Sequence, residues 1–133
     1  MWRIYIVAEA DAGDRESWPG PDRLRPITRD GWRQARAVAE HLRGRRPAAI
    51  VASPSLRCRQ TLQPLADAVG LDVDEDRTLV ETAPISRVLG RLVELPDVSV
   101  VCTHTDVVRE IVAASGARQE APDIGPWVLE LIS

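Results

Sequence analysis

Short apolar runs rich in β-branched residues alternate along this chain with longer segments whose apolar residues recur at helical spacing, and that alternation leaves few folds open. Ile4 to Val7 reads as a buried strand, Ala48 to Ala52 as a second, and Val98 to Cys102 as the most strand-like run. Between them, Thr28 caps a helix whose apolar positions Ala35, Val38, Ala39 and Leu42 fall at i, i+3, i+4 and i+7. Ser53-Pro54 opens the next helix, with serine as cap and proline in the first turn. Its stripe is Leu62, Leu65, Ala66 and Val69, and Gly70 stops it. A short extended segment follows near Leu71–Val73, then a third helix with Ile85, Val88, Leu89 and Leu92 on one face. Residues 106–114 make a fourth through Val107, Val108 and Ile111, ended by Gly116, and Trp127 to Ile132 is expected as a last strand at an edge. Strands joined through helices pair in parallel and need cover on both faces. The expectation is an α/β three-layer sandwich with a mostly parallel central sheet, built as one domain over residues 1–133.

Composition removes several classes of function. With 44% hydrophobic residues in 133, the chain buries a core without metal or disulfide staples. The start Met1-Trp2-Arg3 lacks the basic-then-apolar plan of a secretory signal, and no apolar run approaches the ~18 residues of a membrane span, so a cytoplasmic protein without a membrane role is expected. A net charge of -3 argues against nucleic-acid binding by bulk phosphate neutralisation. All 17 basic side chains are Arg, which excludes a lysine Schiff base and a P-loop lysine. Cys58 and Cys102 fit a reduced compartment and read as small core residues, and His41, between Glu40 and Leu42, reads as a helix surface residue.

In open α/β sheets the ligand crevice lies beyond the carboxyl ends of the strands. Three polar residues fall at such places: Glu9 past the first strand, Arg57 in the first turn after the second, and His104 at the opening of the fourth helix. Helix N-termini favour anions, and the arginine fork suits phosphate or carboxylate, so the spacing points to an anion site near Arg57 and His104. Residues 8–28 form a long Gly-, Pro-, Asp- and Arg-rich connection of the kind used as lids and binding loops. Within it, Arg15, Arg23 and Arg25 are placed to line an entrance, and Trp18 either lines it or packs as a hydrophobic lid.

These residues resemble a known family. Ile4-Tyr5-Ile6-Val7 with Ala10-x-Ala12-Gly13-Asp14, then Asp22-Arg23-Leu24-Arg25-Pro26-Ile27-Thr28-x-x-Gly31, Ser53-Pro54-Ser55-Leu56-Arg57-Cys58-x-Gln60-Thr61 and Val101-Cys102-Thr103-His104-Thr105-Asp106 are similar, in order, to segments of the histidine phosphatase (phosphoglycerate-mutase-like) superfamily. The short phosphohistidine-phosphatase branch is nearest in length. The resemblance implies an Arg-His pair directly after the first strand, the histidine accepting phosphate and the arginine clamping it; here those positions read Ala8-Glu9. His104 matches the family's second histidine and Arg57 its second clamp.

The exchange shifts the pocket about two charge units toward negative near neutral pH. Glu9 is therefore expected to pair with Arg57 or His104 and to occupy the place of a phosphate. Three roles stay open for it: ion-pair partner, general acid or base with His104, and nucleophile. Glu9 and His104 are the catalytic candidates, and Arg57, Ala8, Arg15, Trp18 and Thr105 the ligand-binding ones. Glu81 aligns only roughly with an acidic position of some relatives and is not counted among them. The implied function is a pseudophosphatase whose remodelled pocket takes a small or anionic ligand or a protein partner. The alternatives are acid–base catalysis on a non-phosphorylated substrate, and residual phosphatase activity. Nothing in the sequence asks for a metal or a nucleotide cofactor.

Overall fold

The apolar runs pair as expected, and the helical segments cover the sheet they form. A computed structural model describes residues 2–116, 118–120 and 128–132. Its strands are β1 (Arg3–Ala8), β2 (Ala49–Ala52), β3 (Val73–Glu75), β4 (Ser99–Thr103), β5 (Arg118–Glu120) and β6 (Val128–Ile132). They form one six-stranded sheet in the order β3-β2-β4-β1-β6-β5. β3, β2, β4 and β1 run parallel, whereas β6 pairs antiparallel with β1 and β5 antiparallel with β6.

Alternation along the strands sorts side chains onto two faces. Tyr5, Val7, Ile50, Ala52, Val100 and Cys102 pack under α1 (Arg29–Leu42) and α2 (Leu56–Val69). Ile4, Ile6, Ala8, Val51 and Val101 pack under α3 (Ile85–Leu92) and α4 (Thr105–Ser115). The expected stripe Ala35, Val38, Ala39 and Leu42 is buried on α1, and Gly70 and Gly116 end α2 and α4 in the left-handed conformation. No described helix is long and apolar enough to cross a membrane.

Three expectations change. The last strand is internal rather than at an edge, because residues 118–120 return as β5 and cover it; Trp127 lies outside the described residues. The extended segment after Gly70 falls at Val73–Glu75 instead of 71–73. Ser53-Pro54 does not cap α2: proline drives the residue before it out of the helical region, so the helix starts two residues later with Ser55 as its N-cap.

The long connection is tied down by polar contacts. Ala10 N–H donates to Thr61 Oγ1 at 2.9 Å, Asp11 N–H to Gln34 Oε1 at 2.8 Å and Ile27 N–H to Gln60 Oε1 at 2.9 Å. Arg25, 7% exposed, donates to the carbonyls of Ala12 and Gly13. Thr28 caps α1 by accepting from Gly31 N–H at 3.0 Å. Gly31 sits where loop and helix touch: a Cβ there would stand 2.2 Å from the Asp11 carbonyl oxygen and 2.8 Å from Ile27 Cβ. Gly31→Ala is therefore expected to destabilise the fold by about 1–3 kcal/mol, the usual cost of overpacking, read as a lowered urea midpoint with unchanged slope.

On the opposite side of the sheet, Asp76 follows β3 and ties it to α3. Its side chain accepts from Thr78 N–H and from Arg91 Nε, and its own N–H donates to the Ala52 carbonyl. Burial pushes its carboxyl up, but the Arg91 guanidinium and the Thr78 N–H outweigh that and hold it below its ordinary 3.8. The folded value lies under the unfolded one, so this contribution is complete above pH 3.8 and disappears as pH falls through the folded value. The stability gap between the native chain and Asp76→Asn should accordingly be constant above about pH 5 and shrink below 3.8, measured by urea denaturation at stepped pH.

Candidate functional site

Strand register builds the site. Ala8 pairs with Thr103, so the chain leaves β1 and β4 at one level, and the next residues, Glu9 and His104, emerge side by side. Ala52 pairs with Cys102, which brings Ser53 to the same rim, where its N–H donates to the Cys102 carbonyl. α2 then starts after a two-residue turn and places Arg57 in its first turn, with the side chain 1% exposed.

Arg57 is the centre of the arrangement. Its Nε donates to Glu9 Oε1 at 3.1 Å, and one terminal nitrogen donates to the Asp22 backbone carbonyl at 2.9 Å. The other terminal nitrogen reaches Asp22 Oδ2 at 3.0 Å and Glu81 Oε1 at 2.8 Å. His104 Nδ1 stands 2.7 Å from Glu9 Oε2 and 3.2 Å from Glu81 Oε1, while Nε2 is 2.9 Å from Ser53 Oγ. The 2.7 Å contact is close but off the hydrogen-bonding direction, so the buried Oε2 has no directed hydrogen bond. Outside Arg57, Arg15 bridges the same two carboxylates, with Asp22 Oδ1 at 3.2 Å and Glu81 Oε1 at 3.2 Å. Arg25 holds Asp22 from the loop side at 3.0 Å. Three carboxylates thus face three arginines at the carboxyl end of the sheet.

The electrostatics follow from this packing. Burial pushes the Glu9 carboxyl up, and the His104 ring together with the Arg57 guanidinium reverses that, leaving it below its ordinary 4.5. Asp22 is likewise raised by burial and lowered further by Arg25, Arg57 and Arg15. For Arg57, burial favours the neutral form, but Glu9 and Asp22 more than compensate and strengthen its charge. Beneath the network, Cys58 is buried, and a hydrogen bond to Cys102 together with burial pushes its thiol well above the ordinary range.

Of the residues singled out in the sequence, Glu9, Arg57 and His104 converge, and Arg15 joins them as the outer bridge. Thr105 is the half-buried first residue of α4. Ala8 points into the apolar layer under α3 and α4 and presents no group to the site. Its place was legible, since it shares the parity of Ile4 and Ile6 along β1. Trp18 donates to the Pro21 carbonyl at 2.9 Å and, with Ala12, Asp14, Pro26 and Thr28, lines a shallow cleft of about 300 Å³ in the long connection. Arg23 is exposed, and Arg25 serves the loop itself. Sequence reasoning missed Asp22, Glu81 and Ser53. Glu81 carries only its rough alignment as a signal, and Asp22 and Ser53 lie inside matched segments without a marked role.

A model of the histidine phosphatase superfamily (branch 1) matches residues 25–86. SixA of Agrobacterium tumefaciens shares the fold with a TM-score of 0.74 at 24% identity, over 86% of this chain and 76% of that one. Over residues 25–86 the chain resembles the histidine phosphatase superfamily, and it shares the fold of this SixA structure. The protein histidine phosphatase SixA bound to tungstate gives a TM-score of 0.72 at 25% identity, over 85% of this chain and 76% of that one. An 8-oxo-(d)GTP phosphatase of Mycolicibacterium smegmatis is 30% identical over 111 residues, which are 79% of this chain and 34% of that protein. The chain therefore spans about a third of the length of that curated relative. Within the family fold, the Arg57–His104 cluster occupies the end of the sheet where the strands deliver their carboxyl ends.

Proposed function

We propose that this chain is a superfamily member that does not run phosphohistidine chemistry and serves as a ligand- or partner-binding module in the cytoplasm. The observation that carries the reading is the saturation of Arg57: every side of its guanidinium is taken by Glu9, Asp22 or Glu81. The resemblance implies a phosphate-accepting histidine and a clamping arginine where this chain has Glu9 and Ala8. His104 already matches the family's second histidine, and His41 lies in the last turn of α1. A phosphate brought to Arg57 would meet carboxylates on its own donors, and each like-charge contact at 4 Å costs roughly 4 kcal/mol at an intermediate effective dielectric. A ligand enters more easily by displacing Asp22 and Glu81, whose side chains are 32% and 35% exposed, than by displacing the deeper Glu9.

The relatives named above are phosphatases, so phosphate release is the test. The native chain and Ala8→Arg/Glu9→His are assayed against a generic phosphomonoester and a phosphohistidine peptide. Release by the double variant alone is expected, and release by the native chain would overturn the reading. One observation favours a second reading: the 2.7 Å approach of Glu9 to His104 is the geometry of an acid–base pair acting on a non-phosphorylated substrate. That reading requires a bell-shaped pH profile for turnover, abolished by Glu9→Gln and by His104→Ala.

A further inference from the structure

Directly under the ion network, three different donor types from three elements meet. Glu9 comes from the loop after β1, Cys58 from the first turn of α2 and His104 from the start of α4, and one ligand atom of each lies within 4.8 Å of the other two. We propose that Glu9, Cys58 and His104 form a site for a divalent transition-metal ion of the zinc class. A thiolate, an imidazole nitrogen and a carboxylate are the donor set such ions prefer, and three protein ligands leave a fourth position for water or a ligand atom. The inference rests on the reading of Glu9 as a standing carboxylate of the pocket.

Four observations support it. Glu9 Oε2 is buried without a directed hydrogen bond and stands 2.7 Å from His104 Nδ1, so two potential ligand atoms already lie side by side. The outer contacts are those a metal site needs: Ser53 Oγ at 2.9 Å from Nε2 fixes the ring with Nδ1 inward, 3.3 Å from an Arg57 terminal nitrogen, while Arg57 Nε holds the other Glu9 oxygen at 3.1 Å. Charge also permits it. The Glu9 carboxylate and a Cys58 thiolate together offset the two charges of the ion, and Arg57 remains balanced by Asp22 and Glu81. The Cys58 thiol proton leaves to solvent as the metal–sulfur bond forms, and His104 binds through an unprotonated Nδ1, with no change of oxidation state. Finally, the shifts required are small. Tetrahedral ligands on zinc stand roughly 3.3–3.6 Å apart, and the three ligand atoms already lie within 4.8 Å of one another, so adjustments of about 1 Å bring them to one ion.

The test is a titration of the chelator-treated full chain with cobalt(II), read by absorption. A near-ultraviolet thiolate-to-cobalt band with tetrahedral ligand-field bands, saturating at one equivalent and displaced by zinc, is expected. Cys58→Ser should lose the charge-transfer band, Cys102→Ser should keep it, and Ser53→Ala should weaken binding about 10–100-fold through the ring orientation alone. No cobalt binding, an octahedral spectrum without the thiolate band, or a band that survives Cys58→Ser overturns the proposal. If Cys58→Ser fails to fold, unchanged titrations in both Glu9→Gln and Ser53→Ala overturn it equally. The phosphate-release assay separates the two ideas: turnover by the native chain removes the reading of Glu9, whereas a missing cobalt band removes only the metal site.

Discussion

Arg57→Met should lower the unfolding free energy by about 3 kcal/mol, at the low end of the 3–5 kcal/mol typical when one member of a buried charge cluster is removed. The physical cause is what the variant leaves behind. Glu9, Asp22 and Glu81 would face one another without the guanidinium that separates them, and Glu9, 19% exposed, cannot turn to water as the other two can. That partial escape of Asp22 and Glu81 sets the value at the low end. A thermal midpoint lowered by about 10 °C is the corresponding readout for a chain of this size. Adding Glu9→Leu to Arg57→Met should return a large part of the loss, because the buried carboxylate that has lost its guanidinium goes with it. A loss under about 1 kcal/mol in the single variant would mean that the network is solvated and that Arg57 is free to bind anions.

The second large effect is a gain. Glu9→His, alone and with Ala8→Arg, should raise phosphomonoester hydrolysis at least about 10²-fold over the uncatalysed background, the lower bound for one positioned acid–base or electrostatic group, with the native chain at background. Removing the Glu9 carboxylate frees Arg57 Nε and places an imidazole beside His104. The two variants are expected to differ in stability. Ala8 lies within the apolar layer with Leu79, Val101 and Val107, and a guanidinium there must reach out of that layer to find a partner. The single variant is consequently the better folded of the two, and equal thermal midpoints would show that the layer accommodates the longer side chain.

Much of the fold was legible because its signals are local. Ala35, Val38, Ala39 and Leu42 recur within one helix, Thr28 caps by bonding Gly31 three residues on, and Gly70 and Gly116 take the left-handed conformation that stops a helix. Strand register then turned local positions into a site, since residues just past β1, β2 and β4 must share one rim. The internal position of β6 was not legible. Its pattern suits any strand with one apolar face, and only its pairing with both β1 and β5 decides that neither edge is free.

By itself the sequence determined the alternation of strands and helices, the parallel core of the sheet, and the meeting of Glu9, Arg57 and His104. Period, caps and strand ends act over a few residues and survive in any folded context. Tertiary structure alone decided the partners that give those three residues their character. Asp22, Glu81 and Ser53 reach the site across separations of 35, 24 and 51 residues. Arg15 closes over Glu81 across 66 residues. Such contacts are set by how a long loop docks on two helices, through hydrogen bonds such as those to Thr61, Gln34 and Gln60, and no spacing along the chain encodes them. Whether Arg57 is an open anion clamp or the centre of a filled ion network depends on those distant carboxylates, because a guanidinium binds whatever acceptor the fold brings within 3 Å.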